Sequence, residues 1–523
     1  MVGKDNDIRD AEALPDGWVW TTLGEIRIDK SSSITPKKTP NRQYELYSVP
    51  SFREGKPGIV PGGQIGSSKR VVEEKVVLLC KINPRINRVW VVGNYSSHSK
   101  IASTEWIPFF QVKGVDPDYL CYFMQQSTFK DFLALRASGV GGSLMRIKPS
   151  TIVEYPFPLA PLPEQRRIVA EIETQFTRLE AGVAALRRAQ ANLRRYRASV
   201  LKAACEGRLV PTEAALARAE GRDYEPADAL LGRVLAGRRA RWEAEHAGKR
   251  YKVPASSDTE GLPELPEGWV WVAVEQIGEV RLGRQRAPSH HQGPFMRPYL
   301  RAANATWDGV DLSDVKEMNF SPKVFETYRL QKEDILLSEA SGSPEEVGKP
   351  FVWNEEIPDC CFQNTLIRVR LFNLPSSFAY MHFLKDARTG RFATIARGVG
   401  IHHLGASRLS VFPIAMPPLA EQYRIVAEVE RRLSVVGELE KQVEAALRRA
   451  ERLRQAVLKR AFEGRLVPQD PADEPASALL ARIRAGKAGR EAGKKPPKRG
   501  RRKRTRNRVQ EAEEEKPQQK RLL

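Results

Sequence analysis

The sequence lacks most of what announces a membrane protein or an enzyme. Its 523 residues hold no run of 18 apolar residues, so nothing signals a bilayer-spanning helix. Five cysteines, at 80, 121, 205, 360 and 361, form no C-x-x-C pair and no zinc spacing, and they read as buried small residues of a reducing compartment. Seven histidines include doublets at 290–291 and 402–403, but no carboxylates stand at ligand spacing, so no metal site is expected. A G-x-x-x-x-G-K-[ST] phosphate loop is missing, and Gly139-Val-Gly-Gly142 lacks the third glycine of a dinucleotide fingerprint. Also missing is the Asp/Asn-Pro-Pro-aromatic tetrapeptide with which an amino-methylating enzyme holds a flipped base; Pro417-Pro418 runs into Leu419 and Pro496-Pro497 into Lys498. A nuclease centre would have to be forced onto Glu73 and Lys75, a grouping that arises easily by chance. No catalytic residue is therefore expected. The polar, acidic start, MVGKDNDIRDAEAL, reads as neither signal nor transit peptide, so the expected location is the cytoplasm.

What the chain has in excess is positive charge and internal repetition. A formal net charge of +21 favours a polyanionic partner, nucleic acid or an anionic membrane surface. The stretch Glu164–Pro211 aligns without a gap with Glu421–Pro468 at an offset of 257 residues; both open with E-Q-x-R-I-V-A-E and close with E-G-R-L-V-P. Apolar residues recur in each at steps of three and four, the mark of one helical face. The expected helix-pair core is Ile168, Ile172, Leu179, Val183, Leu186, Leu193 and Val200, facing Ile425, Val429, Leu433, Val436, Val443, Leu453 and Val457. Forty helical residues make a rod of roughly 60 Å, which needs a partner along its length. Two such rods most simply bury their stripes against each other.

The repeat extends beyond the rods. Leu14-Pro-Asp-Gly-Trp-Val-Trp20 returns as Leu265-Pro-Glu-Gly-Trp-Val-Trp271, and the tryptophans read as plugs where a globular segment meets its helix. Short helices follow the rods at 226–246 and 475–486. The expected organisation is a leader at 1–13, globular domains at 14–163 and 265–420, helical regions at 164–250 and 421–486, a linker at 251–264 and a disordered basic tail at 487–523. The globular segments are mixed: 71–80, 88–92, 334–338 and 365–371 have strand composition, whereas 117–126, 129–137 and 378–387 read as helices. The predicted class is α+β, with two α/β domains separated by a pair of long antiparallel helices and an internal pseudo-two-fold repeat. Such a two-fold arrangement with no catalytic constellation suits a reader of duplex DNA, and unlike surfaces on the two domains suit an asymmetric, split target.

These features together resemble the specificity (S) subunit of Type I restriction–modification systems. The resemblance rests on Pro161-Leu-Pro-Glu-Gln-Arg-Arg-Ile-Val169 and Pro418-Leu-Ala-Glu-Gln-Tyr-Arg-Ile-Val426, on the E-G-R-L-V-P ends and on the L-P-x-G-W-x-W entries. Runs such as Lys81-Ile-Asn-Pro-Arg-Ile-Asn87 and Leu337-Ser-Glu-Ala-Ser-Gly-Ser343 look like two target-recognition types. The resemblance implies two target-recognition domains on a bipartite site and helices that fix the spacer between its halves. It implies docking of two methyltransferase (M) subunits and of restriction (R) subunits. S-adenosylmethionine, ATP and Mg would then sit on those partners, with no cofactor in this chain and no membrane. The alternatives are a stand-alone sequence-specific DNA-binding protein or a nuclease targeted by the two domains.

Base reading needs Arg or Lys for guanine and Asn or Gln for adenine, and phosphates take Lys, Arg and Ser. In the first domain this selects Ser67, Ser68, Lys69, Arg70, Lys81, Asn83, Arg85, Asn87, Arg88, Ser143 and Arg146. In the second it selects Arg301, Asn304, Ser338, Ser341, Ser343, Lys349, Gln363, Asn364, Arg397 and His402.

Overall fold

The computed structural model describes residues 13–27, 32–111, 113–139, 145–398 and 400–492. The chain divides into two compact units, residues 1–181 with 450–523 and residues 182–449. Both boundaries fall inside a long helix, Leu162–Cys205 or Leu419–Phe462. Each unit is thus one globular domain, the first part of its own long helix and the last part of the other.

In the first unit, Val19–Thr22 pairs antiparallel with Pro156–Leu159, so the chain enters beside the point where its helix begins. A five-stranded sheet runs in the order Ser33–Ile34, Lys69–Val71, Ser99–Ala102, Gln43–Tyr47, Gly58–Pro61, with one parallel pair, Gln43–Tyr47 on Ser99–Ala102. A three-stranded sheet places Val77–Cys80 between Val89–Val91 and Trp106–Phe109. Helices Pro117–Met124 and Ser127–Leu135 close one core over the helix start, and a second core gathers around Tyr47, Trp90 and Trp106. The expected strand at 71–80 is two strands. Glu73, Glu74 and Lys75 turn the chain between them, with Lys75 at φ +66, because three charged residues cannot enter the buried sheet.

The second unit repeats this plan. Val270–Ala273 pairs with Pro413–Met416. Ile335–Ser338 lies between Pro350–Val352 and Leu366–Leu371, and Gly278–Leu282 extends that sheet. Met296–Leu300 pairs in parallel with Cys361–Phe362, as Gln43–Tyr47 does with Ser99–Ala102. Helix Ser376–Arg388 covers the core.

The repeated motifs meet at one joint in each unit. In the first, the Trp18 indole donates to Glu164 Oε2 at 3.0 Å, and Gln469 Nε2 donates to Glu164 Oε1 at 3.4 Å. In the second, Trp269 donates to Glu421 Oε1 at 3.0 Å and the Glu213 N–H to Oε2 at 2.8 Å. Both carboxylates are buried, and burial holds their pKa above the ordinary 4.5 against the lowering effect of those donors. The glycine of E-G-R-L-V-P seats on the entry proline. A Cβ on Gly464 (φ +66) would lie 2.2 Å from Pro15, and one on Gly207 (φ +67) 2.5 Å from Pro266. The short helices Ala476–Ala492 and Ala227–Glu245 attach alike, the Ala476 N–H donating to Gly17 O and the Ala227 N–H to Gly268 O, each at 2.8 Å. One further helix, Glu213–Glu220, was not expected from the sequence.

Within each unit the two long helices run antiparallel. In the first, Ile168, Ile172 and Phe176 share a core with Leu458, Ala461 and Phe462. In the second, Val200, Leu201 and Ala204 pack with Ile425 and Val429. Ile168, Ile172, Val200, Ile425, Val429 and Val436 are buried, and Leu179, Val183, Leu186, Leu193, Leu433, Val443 and Val457 are half-buried. Leu453 contradicts its assignment to the seam, being 50% exposed. Arg454 turns inward instead, its guanidinium 4.0 Å over the Phe176 ring, and Leu458 fills the next place.

Candidate nucleic-acid interface

In the first unit the turn between Val77–Cys80 and Val89–Val91 organises the site. Asn83 and Asn87 bracket it in left-handed conformation, φ +48 and +49, which asparagine tolerates better than most residues. Asn87 Nδ2 is anchored on Met124 O at 2.7 Å. The Asn83 N–H donates to Met145 O at 2.8 Å and the Ile147 N–H to Lys81 O at 2.9 Å. Ser138 and Arg146 exchange backbone bonds of 3.0 and 2.9 Å, and Arg146 pairs with Glu105 at 3.3 Å. Lys81, Asn83, exposed Arg85, Asn87 and Arg146 therefore gather around one turn. Ser143 lies outside the described residues.

Two of the first domain's sequence-selected residues are turned inward. Arg88 is 8% exposed, with Nη1 reaching back to Ile82 O at 3.4 Å, because it begins a strand of the hairpin. Lys69 is buried and its Nζ donates to Ser67 Oγ at 2.6 Å; burial holds its pKa below the ordinary value. Exposed Ser67 and Ser68 and half-buried Arg70 lie with Lys69 at the five-stranded sheet, apart from the turn.

In the second unit, Ala340–Ser341 pairs antiparallel with His402–His403, and Arg397 and His403 exchange backbone bonds of 3.0 and 2.8 Å. The Glu339 N–H donates to Thr365 O at 2.9 Å, Thr365 Oγ1 accepts from the Ala302 N–H at 2.9 Å, and the Gln363 N–H donates to Leu300 O at 2.9 Å. Arg301, Ser341, Gln363, Asn364, Arg397 and His402 thus converge, with Ser343 at the rim, exposed, where its N–H donates to Ser341 Oγ at 3.1 Å. Gly283 permits a close approach: a Cβ there would lie 2.2 Å from Gln363 O.

Four residues selected in this domain are committed elsewhere, among them Arg301, whose guanidinium is ion-paired with Asp314. Asn304 is 2% exposed and spends its side chain on the loop, accepting from the Arg301 N–H at 3.0 Å and donating to Asp311 O at 2.8 Å. Ser338 is buried within its strand. Lys349 is ion-paired with Glu346 beside the Trp307 ring. Sequence reasoning also missed neighbours that the fold supplies. Arg284 bridges to Gln363 through the backbone and lies 5.0 Å over the Phe320 ring. His403 Nδ1 meets Glu339 Oε2 at 2.9 Å. The repeat offset maps Arg146 onto His403, a signal that was available.

All five cysteines are buried, and burial pushes the thiols of Cys121, Cys205 and Cys360 up to about 12, which leaves them unreactive at neutral pH. Among the described residues no group of three His, Cys, Asp or Glu is placed to hold a metal, and no helix is long and apolar enough to cross a membrane.

The fold defines a duplicated α+β protein, each of whose two domains carries its own copy of the same helical joint, while their exposed loops differ. Residues 266–449 match the family model described as Type I restriction modification DNA specificity domain. The chain is 23% identical over 504 residues to the Type I restriction enzyme EcoKI specificity subunit of Escherichia coli (strain K12), covering 91% of this chain and 97% of that one. To the StySPI specificity subunit of Salmonella potsdam it is likewise 23% identical over 504 residues, covering 91% and 96%. A chain of the solved structure described as the structural basis underlying complex assembly and conformational transition of the type I R-M system superposes with a TM-score of 0.62 at 20% identity, covering 87% of this chain and 99% of that one. Over most of its length the chain is thus similar to Type I restriction enzyme specificity subunits, and residues 266–449 match that family's DNA specificity domain.

Proposed function

We propose that this chain is the DNA sequence-recognition subunit of a Type I restriction–modification complex and has no catalytic activity of its own. It binds a bipartite, asymmetric duplex target in the cytoplasm, one half through each globular domain. The observation that carries this reading is that two domains of one plan, held by the same joint, present unlike polar clusters. Lys81, Asn83, Arg85 and Arg146 stand in one; Gln363, Asn364, Arg397 and His402 stand in the other. Both sets offer the Arg, Asn and Gln groups that read base edges and the cations that hold phosphates.

The long helices dock two methyltransferase subunits, and restriction subunits join them; S-adenosylmethionine, ATP and Mg reside on those partners. Support comes from apolar side chains left open on the helices of the second unit, Tyr196 at 45%, Tyr423 at 58%, Val435 at 55% and Leu439 at 42% exposure. The test is to express the chain with a candidate M subunit and sequence modified bases in the cell. The expected result is adenine methylation in one motif of two unlike halves, absent when either protein is expressed alone. Methylation without a split motif, or metal-dependent cleavage by the chain alone, would refute the reading.

A further inference from the structure

The first long helix carries a block of cations free of acidic residues, whereas the cations of its repeat are interspersed with glutamates. From Ala181 to Cys205 there is no acidic residue, whereas Arg187, Arg188, Arg194, Arg195, Arg197 and Lys202 fall within that stretch. The corresponding stretch of the second long helix, 438–462, contains Glu438, Glu440, Glu444 and Glu451. Where the first helix has Arg187, Arg188, Arg194 and Arg195, the second has Glu444, Ala445, Glu451 and Arg452.

At about 100° per residue, Arg187, Arg188, Arg194, Arg195 and Lys202 share a single face, with Ala184, Ala191 and Ala198 between them. Leu186, Leu193 and Val200, which are buried or half-buried, occupy the opposite side. Arg197 is separate, because it turns to the seam and pairs with Glu440 at 2.7 Å. All five cations of the outer face are exposed. Among the described residues no carboxylate pairs with Arg187, Arg188, Arg194 or Arg195. The one polar contact among them is Arg195 Nη2 donating to Asn192 Oδ1 at 2.6 Å, and Lys202 stands 3.9 Å from Glu206.

On other exposed helix faces, arginines matched with a carboxylate stand beside ones such as Arg449 and Arg452 for which, among the described residues, no carboxylate partner is placed. Arg218, Arg233, Arg239 and Arg482 are each matched with a glutamate. A face of four unmatched guanidiniums with alanine between them is open to a rod of negative charge. The stretch from Arg187 to Lys202 is about 22 Å long, and duplex DNA carries about one charge per 1.7 Å of axis. A feature needed for helix pairing, or for a partner that docks on both repeats, would recur at the repeat offset. This one does not, so neither helix pairing nor symmetric docking accounts for it.

We infer that the outer face of the first long helix, Arg187 to Lys202, is a sequence-independent contact surface for the phosphates of duplex DNA. The inference rests on the DNA-recognition reading and adds to it a phosphate clamp outside both recognition domains.

The test uses the full-length chain and a fluorescent duplex of random sequence, with binding measured against salt concentration. Arg187, Arg188, Arg194 and Arg195 are changed together to Gln, which keeps the helix propensity. A control variant loses the same charge from ion pairs through Arg218, Arg233, Arg239 and Arg482→Gln, and a second changes the four stripe arginines to Lys. Circular dichroism confirms that each is folded. The expected result is a fall of up to about 3.6 in the log–log salt slope and a loss of affinity of at least tenfold for the Gln variant alone, with the Lys variant like wild type. An unchanged slope, or the same fall in the ion-pair control, overturns the inference. So does loss of binding to a methyltransferase partner with the DNA slope intact, which would mark the face as a protein-docking surface. If the wild-type chain binds duplex DNA but directs methylation to no motif, the recognition reading fails while the slope still decides the stripe.

Discussion

The two joints and the two recognition faces obey opposite rules. Trp18–Glu164 and Trp269–Glu421 repeat the same residues, the same 3.0 Å bond and the same glycine-on-proline contact. The faces repeat only their frame. An antiparallel sheet carries each, three-stranded in the first unit and four-stranded in the second, and a closing loop is stitched to each by mutual backbone bonds, yet the side chains they expose share almost nothing. Identity at the joint follows from its demands, since a buried carboxylate needs all its partners. Loops that only have to be stitched through backbone atoms leave their side chains free to differ.

The largest effects should come from breaking a joint. Trp18→Ala and Trp269→Ala should each cost about 3–5 kcal/mol, measured by urea unfolding, because a large buried ring and the donor to a buried carboxylate are lost together. If one were nearly silent, the two joints would not be equivalent. Leu458→Ala should cost about 2–4 kcal/mol, whereas Leu453→Ala should stay within about 0.5 kcal/mol, since the first is buried and the second is half exposed. Equal effects would put the seam in the phase expected from sequence.

A subtler comparison uses pH. Burial raises the Glu164 and Glu421 carboxyls, so the folded chain holds those protons to higher pH than the unfolded chain does. Their contribution is therefore complete at low pH and lost as pH rises from about 4.5 through the raised value. Glu164→Gln and Glu421→Gln should each flatten the decline of stability over that window. A steeper decline in either variant would reverse the assignment. The smallest effect expected is that of Arg197→Gln, which removes a half-exposed ion pair to Glu440 and should cost no more than about 1 kcal/mol.

The helices and their motifs were legible in the sequence because a period of 3.6 and an ungapped repeat are local signals. Leu453 failed because the choice between 453 and 454 depends on Phe176, far away in sequence, whose ring accepts the Arg454 guanidinium. The sheets were mostly illegible. Ser33–Ile34, Ala340–Ser341 and Cys361–Phe362 are two residues each, and their pairing is settled by distant partners. The second face was gathered from segments 301–304, 338–343, 363–365, 397–398 and 400–403, so composition found its Arg, Asn and Gln but could not tell which were spent inside. Asn304, Ser338 and Arg88 have the chemistry of base readers and are consumed by their own loops and strands.

The central claim is that each domain reads its own half of a split target. It is tested most directly by changing Gln363 and Asn364 together to Ala, expressing this chain with a methyltransferase partner, and sequencing modified adenines. The expected outcome is relaxed discrimination at one or more bases of a single half, worth about 1–3 kcal/mol per lost contact, with the other half and the spacer unchanged. An intact motif, or changes in both halves at once, would contradict the claim.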